Sequence, residues 1–346
     1  MSKQDVHYSD YLELDKILNA QFLESDKAGT HAHDEMLFIV IHQAYELWFK
    51  QLLFEADSVV DIMKQEILND NSPELQTVEH RLSRMVTILK LLVQQIDVME
   101  TMTPMDFLDF RDLLRPASGF QSWQFKILEA KLGLRYQHRF GQEYYISQLR
   151  PAQVEMIKSV EAQKTLLELL NTWLERMPFF EEAGNWQDYQ SQYPHQAEMH
   201  PFWSDYQQAY MNSLSNAEAA HKEQFSEVFF EKGAGQHLSA KASRAALFIM
   251  LYRGYPMLHL PFQVLNQLLE IDEQLSTWRY RHMSMVHRII GTRIGTGGST
   301  GKEYLKGALD KHYIFADIAR LTSFLIERRH LPKLSVNVEK RLGFLQ

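Results

Sequence analysis

Apolar side chains recur at helical spacing along almost the whole chain. In HDEMLFIVIHQAYELWFKQLLFE, residues 33–55, Phe38, His42, Tyr45 and Phe49 stack on one stripe, because residues three and four apart share a helix face. The same reading predicts helices over roughly 34–67, 75–102, 104–114, 118–133, 151–176, 203–232, 240–253, 261–293 and 301–328, behind a polar arm that ends near residue 30. No stretch alternates with period two as a strand would. The breaks between helices are NDNSPE, TP, RPASG, YPHQAEMHP and GTGGSTG, each a turn signal and none long enough for a linker. Repeats and low-complexity tracts are absent, so residues 1–346 read as a single all-α domain in which distant segments converge. A boundary near 180–200 is the alternative.

Composition supports helices and narrows the chemistry. Only 15 glycines and 10 prolines punctuate 346 residues, which leaves long uninterrupted helix formers. A formal charge of -8 argues against a nucleic-acid binder, since phosphate contacts need clustered Lys and Arg. With no cysteine, thiolate metal sites and cysteine nucleophiles are excluded, and any metal must be held by His, by carboxylates or by a preformed cofactor. MLFIVI falls far short of the roughly 20 apolar residues of a membrane span, and the polar N-terminus lacks a signal-peptide core. A cytoplasmic protein without a membrane partner is expected.

Two histidines interrupt apolar faces. His42 follows six residues that are apolar on every side; a core histidine bonded to a carbonyl is the commoner fate of such a residue. In LSTWRYRHMSMVHRII, residues 275–290, Leu275, Trp278, His282, Met285 and Ile289 form one stripe, with Arg281, Ser284 and Arg288 turned elsewhere. His287 cannot join His282 on one ion, since positions five apart lie about 140° apart on the helix. A lone histidine on an apolar face suits a proximal haem ligand, and a core histidine fits this segment equally well. HAH at 31–33 and the Glu-x-x-His pairs Glu218/His221 and Glu327/His330 sit in polar surroundings and read as solvated faces.

TPMDFLDFRDLLRP, residues 103–116, predicts a short helix with Thr103 as N-cap, Pro104 first and Asp106 near the third position. Arg115 can pair with Asp112, whereas Arg111 has Phe107, Leu108, Leu114 and Arg115 as helical neighbours, none acidic. Its counter-ion must come from afar, either a structural carboxylate or the carboxylate of a ligand. GTGGSTGK, residues 295–302, fails as a phosphate loop: Thr296 occupies the first glycine of the motif and Glu303 follows Lys302. Thr300 likewise breaks the dinucleotide fingerprint. What remains is a glycine-rich connector able to fold over a ligand, or merely to join two helices.

Together, HDEMLFIVIHQAYELWFKQLLFE, LVQQIDVMETMTPMDFLDFRDLLRPASGFQS, STWRYRHMSMVHRIIGTRIGTGGSTG and the N-terminal YSDYLELDKILNAQ resemble the tryptophan 2,3-dioxygenase family, in order and over nearly the full chain. The stretch from about 135 to 245 matches less sharply. The resemblance implies an all-α enzyme built of long helices around one haem b per subunit, assembled as a homotetramer, a dimer of dimers. Such an enzyme adds both atoms of O2 across the indole C2–C3 bond of L-tryptophan to give N-formyl-L-kynurenine, the first step of the kynurenine pathway. Alternatives are a related haem enzyme acting on another aromatic amino acid, or a haem-binding protein without catalysis.

Residue by residue, the resemblance makes His282 the axial ligand of the haem iron and His42 the residue that bonds the indole N–H. Phe38 and Phe107 line the indole pocket; some relatives carry tyrosine at position 107, so a hydroxyl contact is missing here. Arg111 matches the carboxylate clamp and Thr296 the residue that helps hold the ammonium and carboxylate. Ser118 and Gly295 fall beside the haem. Tyr8, Tyr11 and Leu12, in the arm formed by residues 1–30, become contacts supplied to a neighbouring subunit's site.

Overall fold

The structure is a computed structural model and describes residues 5–139, 146–177, 183–194, 199–231, 233, 235–291, 293 and 312–343. Among these residues every regular element is helical. Three short helices, α1 (Tyr8–Tyr11), α2 (Leu14–Leu18) and α3 (Glu24–Lys27), precede the first long one, α4 (Asp34–Met63). Next come α5 (Pro73–Met99), α6 (Pro104–Arg111) and α7 (Trp123–Leu132). The middle holds α8 (Pro151–Glu161), α9 (Leu166–Glu175), α10 (Pro201–Ser213), α11 (His221–Phe229) and α12 (Ala240–Leu251). The longest, α13 (Pro256–Ile290), is followed by α14 (Ala316–Arg320) and α15 (Val336–Arg341).

Local chemistry sets the helix ends. Ser72 accepts from the Leu75 amide with Pro73 in the first turn of α5. Thr103 and Asp106 exchange bonds at the start of α6, as the sequence predicts: the Thr103 amide donates to Asp106 at 2.8 Å and the Asp106 amide to Thr103 Oγ1 at 3.3 Å. Periodicity alone runs past two other boundaries. The single helix expected over 151–176 is two, because Thr165 and Glu168 form a capping box that starts α9. The helix expected over 203–232 breaks likewise where Ser215 and Glu218 cap a short 3-10 turn.

The helix expected to begin at residue 261 begins at Pro256, with Pro261 inside it. Of the helix expected over 301–328, residues 301–311 lie outside the described residues; the rest is α14 and a 3-10 turn, Leu321–Phe324. The N-terminal arm and the C-terminal α15 carry helices that the periodicity did not predict.

The frame that positions the site is a layer of long helices. α13 lies along α5, α5 along α4, and α4 carries α7 on another side. Between them and the middle helices a buried cluster runs from Phe49 to Leu342. A second, smaller cluster closes the end where α4, α5, α6 and α13 meet. Its buried members include Ile41, Ile96, Met99, Phe110 and Met285, with Phe38, Phe107 and Trp278 half-buried against them.

Candidate active site

The smaller cluster holds both sequence-marked helix faces. On α4, the rings of Phe38 and His42, one turn apart, have centroids 4.1 Å apart. Phe107 and Phe110 of α6 pack on Phe38 at 5.7 and 5.6 Å and on each other edge to face at 5.4 Å. Phe110 is wholly buried, and its three-residue spacing from Phe107, the one signal of it in the sequence, places both on one face. Arg111, the last residue of α6, is buried at 5 % exposure beside this aromatic group. Arg115 pairs with Asp112 at 3.3 Å as the spacing suggested.

The two imidazoles are held differently. His42 Nδ1 lies 2.7 Å from the Phe38 carbonyl oxygen. A carbonyl can only accept, so Nδ1 carries the proton and donates. Burial lowers the pKa of His42 below its ordinary 6.5, against smaller opposing effects of the Phe38 carbonyl and Glu46. The ring is therefore neutral near pH 7, with a lone pair on Nε2.

His282 lies parallel to Trp278, one turn earlier, with an interplanar angle of 3° and centroids 5.1 Å apart. Its Nδ1 is sealed from solvent with no hydrogen-bond partner among the described residues, while the residue as a whole keeps some exposed surface. Burial first, and then the nearby His42, depress its pKa to about 4. Trp278 in turn sits among Phe125 of α7 at 5.0 Å and Tyr45 and Phe49 of α4 at 6.1 and 6.5 Å. Tyr45 is fixed by its hydroxyl, which donates to the Leu92 carbonyl at 2.9 Å. In the sequence this setting is legible only as two separate stripes, Tyr45 and Phe49 on α4 and Trp278 on α13. The polar side of α13 behaves as expected, with Arg281 pairing Asp97 of α5 at 2.6 Å and Glu100, which caps α5, at 3.3 Å.

The donor set discriminates among metal groups. Among the described residues no cluster of three or more His, Asp or Glu could hold an ion. His31 is paired with Asp26 at 2.6 Å in an exposed position, and Glu218 is spent on the Ser215 turn. His282 offers one neutral, uncommitted imidazole among flat aromatic side chains. That environment fits a planar group that brings its own equatorial ligands and asks the protein for one axial nitrogen.

Ser118 is half-buried and caps a 3-10 turn, its hydroxyl accepting from the Phe120 amide while its own amide donates to Gln121. Tyr8 and Tyr11 lie on α1 with 71 % and 75 % of their surface exposed, and Leu12 caps that helix. Thr296 and Gly295 lie outside the described residues. No helix in the described residues is long and apolar enough to cross a membrane.

Comparison with known proteins gives a consistent result. A profile of the family described as tryptophan 2,3-dioxygenase matches residues 1–325. A protein of that name from Alteromonas mediterranea is 44% identical, over 98% of this chain and 97% of its own length. Another from Bdellovibrio bacteriovorus is 42% identical over 99% of both chains. The protein of the same name from Rattus norvegicus is 40% identical, over 99% of this chain and 87% of its own.

Proposed function

Because the chain belongs to the tryptophan 2,3-dioxygenase family, we propose that the aromatic cluster shared by α4, α6 and α13 is where it oxidises L-tryptophan with O2. The product is N-formyl-L-kynurenine, made by cleavage of the indole C2–C3 bond. The observation that carries the residue assignment is the pair of neutral, differently restrained imidazoles on facing helices, next to a buried arginine.

His282 is the residue that would hold haem b, one per subunit, through its iron. A ferrous haem held there would supply the chemistry that activates dioxygen. Everything else falls to the side chains. Phe38 and Phe107, packed on each other, line the indole pocket together, and Phe110, in contact with both rings, stiffens that pair. His42 Nε2 accepts the indole N–H, because Nδ1 is already committed to the Phe38 carbonyl. A substrate without that N–H leaves the acceptor buried and unpaired, which penalises it.

Arg111 binds the substrate carboxylate through its planar fork, with Thr296 assisting at the amino-acid end and Ser118 and Gly295 flanking the haem. Fixing both ends of the amino acid is worth much of the rate, since correct placement replaces a bimolecular encounter.

The assembly proposed is a homotetramer, a dimer of dimers, in which the arm of residues 1–30 enters a neighbour's site and presents Tyr8, Tyr11 and Leu12. Exposed apolar side chains support it. Val40, Leu47 and Phe54 recur every seven residues on α4, and Leu91 and Val98 on α5. Such spacing keeps a stripe on one face for a partner helix. The arm adds Tyr8, Tyr11 and Phe22, all strongly exposed. We place the enzyme in the cytoplasm, as one domain without nucleic-acid or membrane partners. Protein reconstituted with haem and reduced should convert L-tryptophan under oxygen to a product with the absorption of a formylated aromatic amine. Haem-loaded protein that leaves tryptophan unchanged would refute the activity.

A further inference from the structure

A histidine that ligates a metal is ordinarily aimed by a hydrogen bond from its second ring nitrogen to a carboxylate, carbonyl or water. Among the described residues His282 has no such partner, its Nδ1 being buried and unbonded. Stacking on Trp278 fixes the plane of the ring relative to the helix. It does not fix the roll of the helix itself. Besides the Arg281 pairs toward α5, a restraint on α13 comes from another of its faces.

That face carries an unusual concentration of buried polar contacts. The Asp272 carboxylate, 5 % exposed, accepts from the Ile314 amide at 3.1 Å and the Phe315 amide at 2.5 Å. Ser276 donates to the Tyr313 hydroxyl at 3.1 Å. Arg279, 4 % exposed, donates from Nη1 to the His312 carbonyl at 3.3 Å and from Nη2 to Glu129 at 2.6 Å. Glu129, on α7, is shared with Arg139 at 2.5 Å. Together the two arginines and His312 hold its carboxyl down at about 2 against a burial effect that alone would raise it.

With about 3.6 residues per turn, Asp272, Ser276 and Arg279 fall within an arc of about 60°, and the Trp278–His282 stripe lies roughly 100° round from its centre. One side of the helix is thus gripped by residues 312–315 and by α7, while the adjacent side presents the imidazole.

We propose that Arg279, with Asp272 as its partner two turns earlier, is a positioning residue for His282: the clasp on residues 312–315 and Glu129 sets the roll of α13, and with it the direction of the axial nitrogen. The inference rests on the reading of His282 as the haem ligand. It predicts that loosening the clasp changes the iron–histidine bond before it changes the indole side of the site, because Phe38, His42, Phe107 and Phe110 lie on α4 and α6.

The test is made on haem-loaded protein, by resonance Raman measurement of the ferrous iron–histidine stretch and by the rate of haem transfer to an apoglobin trap. The variants are Arg279→Met, Arg279→Lys and Asp272→Asn. Glu55→Gln is the control, since Glu55 is an equally buried carboxylate between two arginines, Arg81 at 3.4 Å and Arg84 at 2.8 Å, on α4 and α5. Arg279→Met should shift or broaden the stretch and speed haem loss by about tenfold, with Arg279→Lys and Asp272→Asn intermediate. Glu55→Gln should lower the melting temperature and leave the stretch in place.

Should Arg279→Met not fold, the two milder variants decide. An unaltered stretch and unaltered haem loss in folded variants would overturn the proposal. Absence of any iron–histidine stretch in the unsubstituted protein would overturn the assignment of His282 itself, and the clasp with it.

Discussion

The α4 side and the α13 side of the site use the same residue type to opposite ends. On α4 a hydrogen bond does the orienting: His42 is tied through Nδ1 to the carbonyl one turn back, and its ring lies against Phe38. On α13 the Nδ1 of His282 has no hydrogen-bond partner among the described residues, and the ring lies parallel to Trp278. Burial keeps both neutral. The lesson is that one ring has a lone pair of defined tautomer, fit in the proposed function to accept a weak N–H donor. The other has an Nδ1 uncommitted among the described residues, so that a metal held there would meet an imidazole without an anionic partner among them.

The largest effect that would break this contrast is on the α13 side. His282→Ala should abolish stable haem binding and with it all turnover, as measured by haem content after reconstitution and gel filtration. Next comes the amino-acid end. Arg111→Leu should lower kcat/KM for L-tryptophan by about 100-fold to 1,000-fold, the cost of leaving a carboxylate without its charge-assisted pair. The same variant should lose little on an indole substrate lacking the carboxylate; an equal loss on both would show that Arg111 acts structurally.

A smaller effect belongs to α4. His42→Ala should keep haem and lose only about tenfold in kcat, the worth of one hydrogen bond. N-methylated indole should gain relative to tryptophan in that variant, because no acceptor is then left unpaired.

The weakest effects are in pH. With its pKa below 6.5, His42 stays an acceptor at neutrality, so kcat/KM should show no loss attributable to this residue until the pH falls below that value. For the haem-free chain the sign runs the other way from a salt-bridged histidine. The folded pKa of His282, about 4, lies beneath its ordinary 6.5, so its contribution is complete above 6.5 and is lost as pH falls toward 4. His200 and His312, also lowered to about 4, act in the same direction. His282→Leu should therefore flatten the acid limb of apoprotein stability by one proton's worth of slope. An unchanged slope in denaturant titrations would mean the ring is hydrated in the apoprotein.

Much of this was visible in the sequence because it is local. The start of α6 was readable residue by residue, from Thr103, Pro104 and Asp106, and both histidines stood out against apolar stripes of period 3.6. The breaks at Thr165 and Ser215 were missed even though both carry the capping pattern with a glutamate three residues on. Across the first, apolar periodicity continues through Leu166, Leu167 and Leu170 and outweighs a polar signal of four residues; around Ser215 the segment is made of good helix formers, alanine and glutamate among them, which hide the break. Trp278's neighbours, Phe110's burial and the clasp on α13 depend on partners far away in sequence. Asp272 reaches residues 314 and 315, and Arg279 reaches Glu129 across 150 positions. No periodicity encodes such pairings; they follow from how α5, α7 and α13 stack.

The claim on which the account turns is the division of labour between the two histidines. It is tested most directly by the visible spectrum of ferrous, haem-reconstituted His42→Ala and His282→Ala proteins, each with and without L-tryptophan. The account predicts that His42→Ala retains the spectrum of a haem with one histidine ligand and still responds to tryptophan, while His282→Ala shows neither. Equal loss of haem in both variants, or its loss in His42→Ala alone, would contradict it.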